Sequence, residues 1–275
     1  HNIILGSAYG HSDAFKELAD KYPDVAFVIP GGHTNSGNLQ GIYGRSYEPH
    51  YLCGMAAGAL TKTNKIGFVA ANPFGVVNWT VNGYLIGARK TNPDVTLHVV
   101  YTGAWNDPVK ERAAAQALVE QGVDVIGQHV DTPTPQIVAQ ENGIYGTGHH
   151  RDMREFAPKA TQCSHLWVWD RYLIPKIEEM VSGTWDPGAQ PYGDFIHIHD
   201  GGNDIACCGD AVPADVVNQI NSEKAALAGG KHVFEGPLYD QEGTLRVKEG
   251  EVPSDGDLWG MDWLLQGVVG TTKTL

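Results

Sequence analysis

The chain has 275 residues, of which 42% are hydrophobic and 19% are charged. This composition provides enough apolar side chains for a large core and is not that of a disordered chain. Its 19 basic and 32 acidic residues give a formal net charge of −13, and so acidic a surface repels nucleic acids and anionic lipids. The longest nearly uncharged apolar run, from Tyr51 to Leu60, is about half of the roughly 20 residues that a membrane helix needs. We therefore predict a soluble globular protein that binds no nucleic acid.

The chain has four cysteines, and no two of them are spaced as a CxxC pair, which excludes a zinc ribbon and a thioredoxin-type site. Cys207 and Cys208 are adjacent and could form a strained vicinal disulfide. Because free cysteines often behave as small buried apolar residues, we expect two semi-buried thiols instead. The cysteines therefore do not decide in which cellular compartment the protein works.

Short apolar runs alternate with helical patterns through the first two thirds of the chain. The runs lack a clean period of two, which is typical of parallel strands that are covered on both faces. The predicted strands are Ile3–Leu5, Val25–Ile29, Lys65–Ala71, Thr96–Tyr101, Val123–Gln128 and Ile144–Gly148. The predicted helices are Ser12–Lys21, Tyr51–Leu60, Trp79–Thr91, Val109–Gln121 and Pro135–Glu141. Strands that alternate with helices at this spacing predict a doubly wound α/β architecture.

The pattern changes after Trp169, where hairpins join the helices. The predicted elements are a helix over Arg171–Ser182, a hairpin of Phe195–His199 and Asp204–Cys208, a helix over Pro213–Ala228, a hairpin over Leu238–Lys248 and a helix over Asp255–Leu265. The strand-and-helix series before Trp169 and this mixed series after it indicate more than one structural unit.

We predict two lobes. Residues 65–169 form one continuous lobe, because a complete series of strands falls in that interval. Residues 1–64 and about 170–230 form the other lobe, in which only two or three strands precede the first exit of the chain, and so small a sheet is marginal. This first lobe is therefore expected to lack its first strands. Residues 231–275 form a C-terminal hairpin and helix that the sequence assigns to neither lobe.

The sequence lacks the common motifs for phosphate binding and for nucleophilic catalysis. Gly146-Thr147-Gly148 begins like a dinucleotide-binding fingerprint, but Arg151 stands where the third glycine is needed. No P-loop and no GxSxG nucleophile elbow occur. No nucleophile lies beside a base at a recognisable spacing, so we predict no catalytic residues and no cofactor.

Histidines support one alternative. His129 and Asp131 follow one predicted strand, and His149 and His150 follow the next. Imidazole and carboxylate groups at neighbouring strand ends can bind a metal ion, which would make the protein a metal-dependent hydrolase acting on a heterocycle. No third ligand at helical spacing completes the set, so hydrogen-bonded or exposed loop histidines are the preferred interpretation of these residues.

Aromatic and acidic residues also follow the predicted strands. Trp105 and Asp131 each come after a buried strand, and Trp167 and Trp169 close the last strand of the central lobe. Ligands in open α/β sheets sit beyond the carboxyl ends of the strands. Rings provide a stacking surface, and a carboxylate accepts hydrogen bonds from ring N–H and amino groups. The pattern predicts a site for a flat, uncharged ligand with polar edges.

In these residues the chain resembles the basic-membrane-protein (BMP) family of substrate-binding proteins, which serve ABC importers of purines and nucleosides. The resemblance covers the whole chain and is strongest in Gly41–Lys65, Trp105–Pro108 (WNDP), Gln128–Pro135 (QHVDTPTP), His150–Pro158 (HRDMREFAP) and Met261–Gly270. It implies a type I periplasmic-binding fold, with two α/β lobes, a cross-over hinge and ligand capture by closure between the lobes. It also implies that roughly the first quarter of the usual mature protein would precede His1.

The resemblance further implies roles for individual residues. Tyr9 falls where the family places an aromatic ring against the base, Trp105 would stack on the base from the other lobe, and Asp131 would bind its polar edges. Two positions depart from the nucleoside-binding members. His150 stands where those members have an aspartate that holds ribose hydroxyls, and Trp167 stands where they have a lysine. Because both ribose anchors are lost, we expect a free base to bind in preference to a nucleoside.

The leading prediction is therefore a non-enzymatic, extracytoplasmic solute-binding protein that captures a purine-like base such as adenine, guanine or hypoxanthine. Its partner would be the ABC permease of the inner membrane, and the protein itself would be a monomer. It would lie in the periplasm or be attached to the outside of a membrane as a lipoprotein. A receptor that presents its closed, liganded form to a sensor is a further alternative, which the sequence does not distinguish from transport.

Overall fold

The computed structural model describes residues 1–32, 35–188 and 193–274. The strands in these ranges are β1 (Ile3–Leu5), β2 (Ala26–Pro30), β3 (Leu39–Gly44), β4 (Lys65–Ala70), β5 (Thr96–Tyr101), β6 (Val125–Gln128), β7 (Tyr145–Gly148), β8 (Thr161–Trp167), β9 (Asp194–Ile196), β10 (Asn203–Cys207), β11 (Leu238–Tyr239), β12 (Leu245–Val247) and β13 (Val268–Val269). The helices are α1 (Ser12–Lys21), α2 (Tyr47–Leu60), α3 (Gly75–Thr91), α4 (Pro108–Glu120), α5 (Thr134–Glu141), α6 (Trp169–Ser182), α7 (Ala214–Ala228) and α8 (Asp255–Trp259). This order of elements confirms the predicted α/β class.

One compact unit is formed by residues 1–45 and 167–203. Its four-stranded sheet has the order β1-β2-β3-β9, and every neighbouring pair is parallel. Helix α1 is amphipathic, and its Phe15 meets Phe27 of β2 edge to face, with ring centroids 5.7 Å apart. Leu39 of β3 belongs to the same apolar core. Strand β3, which lies between β2 and β9 in the sheet, was not among the predicted strands.

The second unit is formed by residues 46–166 and 204–275. Its sheet has seven strands in the order β10-β8-β7-β6-β4-β5-β13, and the pairs from β8 through to β13 are parallel. Strand β6 is buried along its whole length and β4 beyond its first residue. Burial on both faces explains why the apolar runs of the sequence show no alternation. As predicted, β1 and β4 lie in different sheets.

Helices α2 and α3 pack with their backbones almost in contact. A Cβ atom at Gly54 of α2 would overlap the carbonyl oxygen of Tyr84, and a Cβ atom at Gly87 of α3 would overlap that of Tyr51. The hydroxyl of Thr91 donates to the carbonyl of Met55 at 2.8 Å across the same interface. Glycine is therefore required at these two positions by the closeness of the helices, and α2 is buried around almost its entire circumference.

The division between the units differs from the predicted one. Helix α2 belongs to the second unit, not to the first lobe, because it packs so closely on α3. Helix α7 was also predicted in the first lobe, but it packs against α2, and the Tyr51 hydroxyl donates to the Glu223 carboxylate at 2.7 Å. The C-terminal segment joins the second unit as well, since β13 pairs with β5.

Three local expectations are wrong and one is confirmed. The hairpin predicted on either side of residues 200–203 does not form, because β9 pairs with β3 whereas β10 joins the other sheet. Helix α8 ends at Trp259 instead of Leu265. Cys207 and Cys208, expected as thiols, are joined by a disulfide bond. The hairpin of β11 and β12 is present as predicted.

Candidate ligand site

The loop after β5 places Trp105 at the carboxyl end of the sheet in the second unit. The backbone N–H of Asp131, in the loop after β6, donates to the Trp105 carbonyl oxygen at 2.9 Å, so the two loops are joined. The indole is partly buried against the apolar cluster that contains Val69 and Ala71. The Phe74 ring, from the loop after β4, lies 5.9 Å from the Trp105 ring between centroids. Trp105 therefore packs against the edge of the core and also lies among the residues that follow the strand ends.

Hydrogen bonds around Glu111 fix the same loops. Asp107 caps α4, because its side chain accepts from the backbone N–H groups of Val109 and Lys110 at 3.2 and 3.1 Å. The Glu111 carboxylate accepts from the Asp107 N–H and from the Thr132 hydroxyl. Burial raises the pKa of Glu111 above its ordinary value, and these hydrogen bonds oppose that effect. The residues that follow Trp105 and Asp131 are thus tied to each other through α4.

Asp131 and His150 form a pair at neighbouring strand ends. His150 Nε2 lies 2.8 Å from Asp131 Oδ1, and the two side chains are 33% and 38% exposed. His150 has a φ of 71°, which is the left-handed region that residues with a Cβ atom seldom adopt. The imidazole therefore holds a carboxylate in a defined place while leaving it open to solvent.

The first unit contains the other two predicted ligand residues. Tyr9 lies in a 3-10 turn after β1, and half of it is exposed. Trp167, the last residue of β8, stacks on Trp169 with ring centroids 4.8 Å apart and planes 13° apart. Tyr43 of β3 meets Trp167 edge to face at 5.4 Å. We call Tyr43, Trp167 and Trp169 the aromatic triplet; Tyr43 was not among the predicted ligand residues.

Four histidines form a buried group in the second unit. This histidine cluster comprises His50 of α2, His129 after β6, His149 after β7 and His165 in β8, and none of them is more than 3% exposed. The rings of His129 and His149 stack at 4.4 Å, and His50 lies 5.0 Å from both His149 and His165. Burial lowers the pKa of all four, that of His50 to about 4. The rings are therefore neutral near pH 7.

The metal set predicted for the hydrolase alternative does not assemble. Asp131 contacts His150, and the His149 ring lies 3.9 Å from the His150 ring and 4.4 Å from the His129 ring between centroids, but the ligand atoms of these four residues do not come together as one set. In the described part of the chain, the three side chains whose ligand atoms all lie within 4.8 Å of one another are His50, His149 and His165. That set has no carboxylate to act as a general base. His50 escaped the sequence analysis because it lies on a helix, far along the chain from the strand ends.

Of the five predicted ligand residues, the structure brings three together in the second unit, namely Trp105, Asp131 and His150. Tyr9 and Trp167 lie in the first unit. In the described ranges, no helix has both the length and the apolar composition needed to cross a membrane.

Comparison with known proteins gives the family. Residues 1–226 match the family model described as "ABC transporter substrate-binding protein PnrA-like". "Purine-binding protein BAB2_0673" of Brucella abortus is 31% identical over 269 residues, which cover 98% of this chain and 75% of that protein. "Putative ABC transporter glucose-binding protein TsgA13" of Haloferax volcanii is 33% identical over 262 residues, which cover 92% of this chain and 66% of that protein. The chain therefore spans 66% and 75% of the lengths of these two relatives.

Solved structures agree with this match. An ABC transporter solute-binding protein from Aeropyrum pernix K1 superposes with a TM-score of 0.70 at 17% identity, covering 84% of this chain and 76% of that one. At this identity the likeness shows the fold, and it confirms the solute-binding-protein fold that the resemblance implied. The chain belongs to the family of PnrA-like ABC transporter substrate-binding proteins, whose members bind substrates for transport and are not enzymes.

Proposed function

We propose that this protein binds a free purine-like base, such as adenine, guanine or hypoxanthine, outside the cytoplasm and delivers it to the ABC permease. The observation that carries the proposal is the connection between Trp105 and Asp131, whose loops share a hydrogen bond of 2.9 Å. A purine offers a flat face to an indole and an edge of N–H and amino donors to a carboxylate. One stacking surface and one acceptor, on two strand-end loops joined by this hydrogen bond, match those two properties.

His150 gives Asp131 its orientation in this proposal. Its Nε2 atom contacts one carboxylate oxygen of Asp131 at 2.8 Å, and the exposed part of the carboxylate accepts from the base. His150, which stands at the position of a ribose-binding aspartate, thus orients the Asp131 carboxylate that we propose binds the base. This function for His150 is consistent with a ligand that has no ribose.

The aromatic triplet supports a base over a nucleoside. A ribose hydroxyl that loses water on binding must regain a partner or costs about 1–3 kcal/mol. An indole has a single N–H donor and no acceptor, so Trp167 replaces a lysine with a much poorer partner for hydroxyl groups. We retain Trp167 and Tyr9 as proposed ligand contacts on the basis of the family resemblance.

The names of the relatives point to two ligand classes. One is named as purine-binding and the other as glucose-binding. A hexose carries hydroxyl groups around its whole rim, and each of them needs a hydrogen-bond partner when it is buried. The second unit places the rings of Trp105 and Phe74 5.9 Å apart between centroids at its strand ends, and the Asp131 loop is hydrogen-bonded to Trp105. This balance of ring surface and polar groups favours the purine.

The proposal extends to the setting of the protein. We infer that it works as a monomer in the periplasm or, as a lipoprotein, on the outer face of a membrane. Membership of a family of ABC substrate-binding proteins supports the location outside the cytoplasm, and fractionation of the source cells with an antibody would test it. A cytoplasmic location would contradict the delivery role.

Thermal unfolding of the full-length protein tests the ligand class. A ligand that binds only the folded state raises the melting temperature. Each candidate is therefore added separately, at increasing concentrations. We expect at least one of adenine, guanine and hypoxanthine to raise the melting temperature by several degrees, and D-glucose to leave it unchanged. A rise with D-glucose and none with any purine would contradict the proposal.

A further inference from the structure

The histidine cluster places polar rings where apolar side chains would pack at lower cost. Both ring nitrogens of His129 are buried and have no hydrogen-bond partner among the residues that the structure describes, and the side chain is only 3% exposed. Native proteins pair almost all of their buried polar atoms with protein or water, and exceptions call for an explanation. A ligand that imidazole binds would supply one.

His50 has the arrangement of a histidine that binds a metal. Its Nδ1 lies 2.8 Å from the carbonyl oxygen of Ser46 and its Nε2 3.3 Å from that of Gln128. A neutral imidazole has one N–H. The shorter contact assigns it to Nδ1, which donates to the Ser46 carbonyl. Nε2 then has a lone pair beside a second oxygen, which is a repulsive contact that a cation relieves. An N–H donated to a backbone carbonyl is also what fixes the tautomer of many metal-binding histidines.

His149 and His165 lie at the right separation to complete a set with His50. Their Nδ1 atoms are 2.8 Å apart, and the ligand atoms of all three histidines lie within 4.8 Å of one another. A tetrahedral zinc ion with Zn–N distances of about 2.0–2.1 Å holds its ligand nitrogens roughly 3.3 Å apart. The observed separations, from 2.8 Å to at most 4.8 Å, lie on either side of this value, so a shift of each nitrogen by about one ångström would form the tetrahedral set.

We propose that His50, His149 and His165 bind a zinc ion in the second unit, and that His129, whose ring stacks on that of His149 at 4.4 Å between centroids, supplies the fourth nitrogen. Three neutral imidazoles are an established zinc ligand set, and imidazole favours zinc over magnesium and calcium. Since His50 belongs to α2 and His165 to β8, the ion joins this helix to the sheet. The role of the ion is to stabilise the second unit. This proposal does not depend on whether the protein binds a purine.

Metal analysis of the full-length protein tests this site. Chelator-treated protein is incubated with Zn²⁺, passed through a desalting column and analysed by inductively coupled plasma mass spectrometry. We expect one zinc ion per chain in the wild type and a raised melting temperature, with no retention of Mg²⁺ or Ca²⁺. His165→Asn and His149→Asn should bind zinc at least tenfold more weakly. The matched control is His98→Asn, which removes a histidine of β5 that contacts Gln121 and lies outside the cluster.

X-ray absorption at the zinc edge of the wild-type protein decides the ligands even if a buried variant fails to fold. We expect at least three imidazole nitrogens at about 2.0–2.1 Å. A shell that contains carboxylate oxygen would place the ion at Asp131 and His150 and overturn the proposal. Wild-type protein that retains no zinc would also overturn it, as would folded His165→Asn and His149→Asn variants that bind zinc as tightly as the wild type.

Discussion

His150 Nε2 contacts Asp131 Oδ1 at 2.8 Å, joining the loops after β6 and β7 in the second unit. The backbone N–H of Asp131 also donates to the carbonyl oxygen of Trp105. One hydrogen bond thus sets the side chain of Asp131 and another sets its main chain. A carboxylate oriented in this way suits the role that we propose for Asp131, as an acceptor for the donors of a base edge.

Asp131→Asn should weaken binding of the base by about 1.5–3 kcal/mol, because it removes the charge from a charge-assisted hydrogen bond. His150→Asn should weaken it less, by about 0.5–1.5 kcal/mol, since it loosens the orientation of Asp131. Asparagine is the matched replacement because it tolerates the left-handed φ of 71° at this position. Isothermal titration calorimetry measures both effects. Unchanged affinity in Asp131→Asn would remove this residue from the site.

Trp105→Ala should weaken base binding by about 1–3 kcal/mol, which is the range for stacking of a base on an aromatic ring. The variant should also lose about 1–2 kcal/mol of stability, because the indole is partly buried against the apolar core. Trp105→Leu separates the two effects, since it keeps apolar volume against the core and removes the flat ring needed for stacking. If titration shows that Trp105→Ala binds the base as tightly as the wild type, the residue has only a packing role.

Glu111 should make the stability of the protein depend on pH. Burial raises its pKa above the ordinary 4.5, so its contribution to stability is complete below that pH and is lost as the pH rises through the folded-state value. Glu111→Gln has no such titration. Urea unfolding between about pH 4 and pH 7 should therefore show the wild type losing free energy of unfolding relative to the variant as the pH rises. A difference that does not change with pH would show that the pKa of Glu111 is not raised.

Gly87→Ala should destabilise the protein by about 3 kcal/mol or more, because the added methyl group overlaps the carbonyl oxygen of Tyr51 in the closest part of the α2–α3 interface. Gly10→Ala is the control, since no atom lies within 4 Å of the methyl group there, and it should change stability by less than about 1 kcal/mol. Denaturant unfolding measures both. Equal effects of the two substitutions would contradict the close packing of α2 on α3.

The sequence predicted the elements whose pattern is local and missed those set by distant contacts. Strand β5 and helix α1 have the predicted ends, because their apolar periodicity and flanking turns are strong. Strand β13 has only two residues and forms because it pairs with β5. No local sequence pattern predicts this pairing. The predicted lobe boundary was misplaced for the same reason. The glycines of α2 permit close packing on α3, and this contact cannot be read from the sequence of α2 alone.

The candidate site follows the same division. Trp105 and Asp131 could be found from the sequence, because parallel strands bring their carboxyl ends to one edge of the sheet. The pairing of Asp131 with His150 could not, because it depends on the left-handed backbone at residue 150. The inclusion of His50 in the histidine cluster depends on the packing of α2, which the sequence analysis placed in the other lobe.

The measurement that tests the central claim most directly is a calorimetric competition between each purine base and its nucleoside on the full-length protein. We predict that adenine, guanine or hypoxanthine binds at least tenfold more tightly than the matching adenosine, guanosine or inosine. The double variant His150→Asp, Trp167→Lys should reverse this preference, because it restores a carboxylate and an ammonium for the ribose hydroxyls. A nucleoside that binds the wild type as tightly as its base would contradict the account.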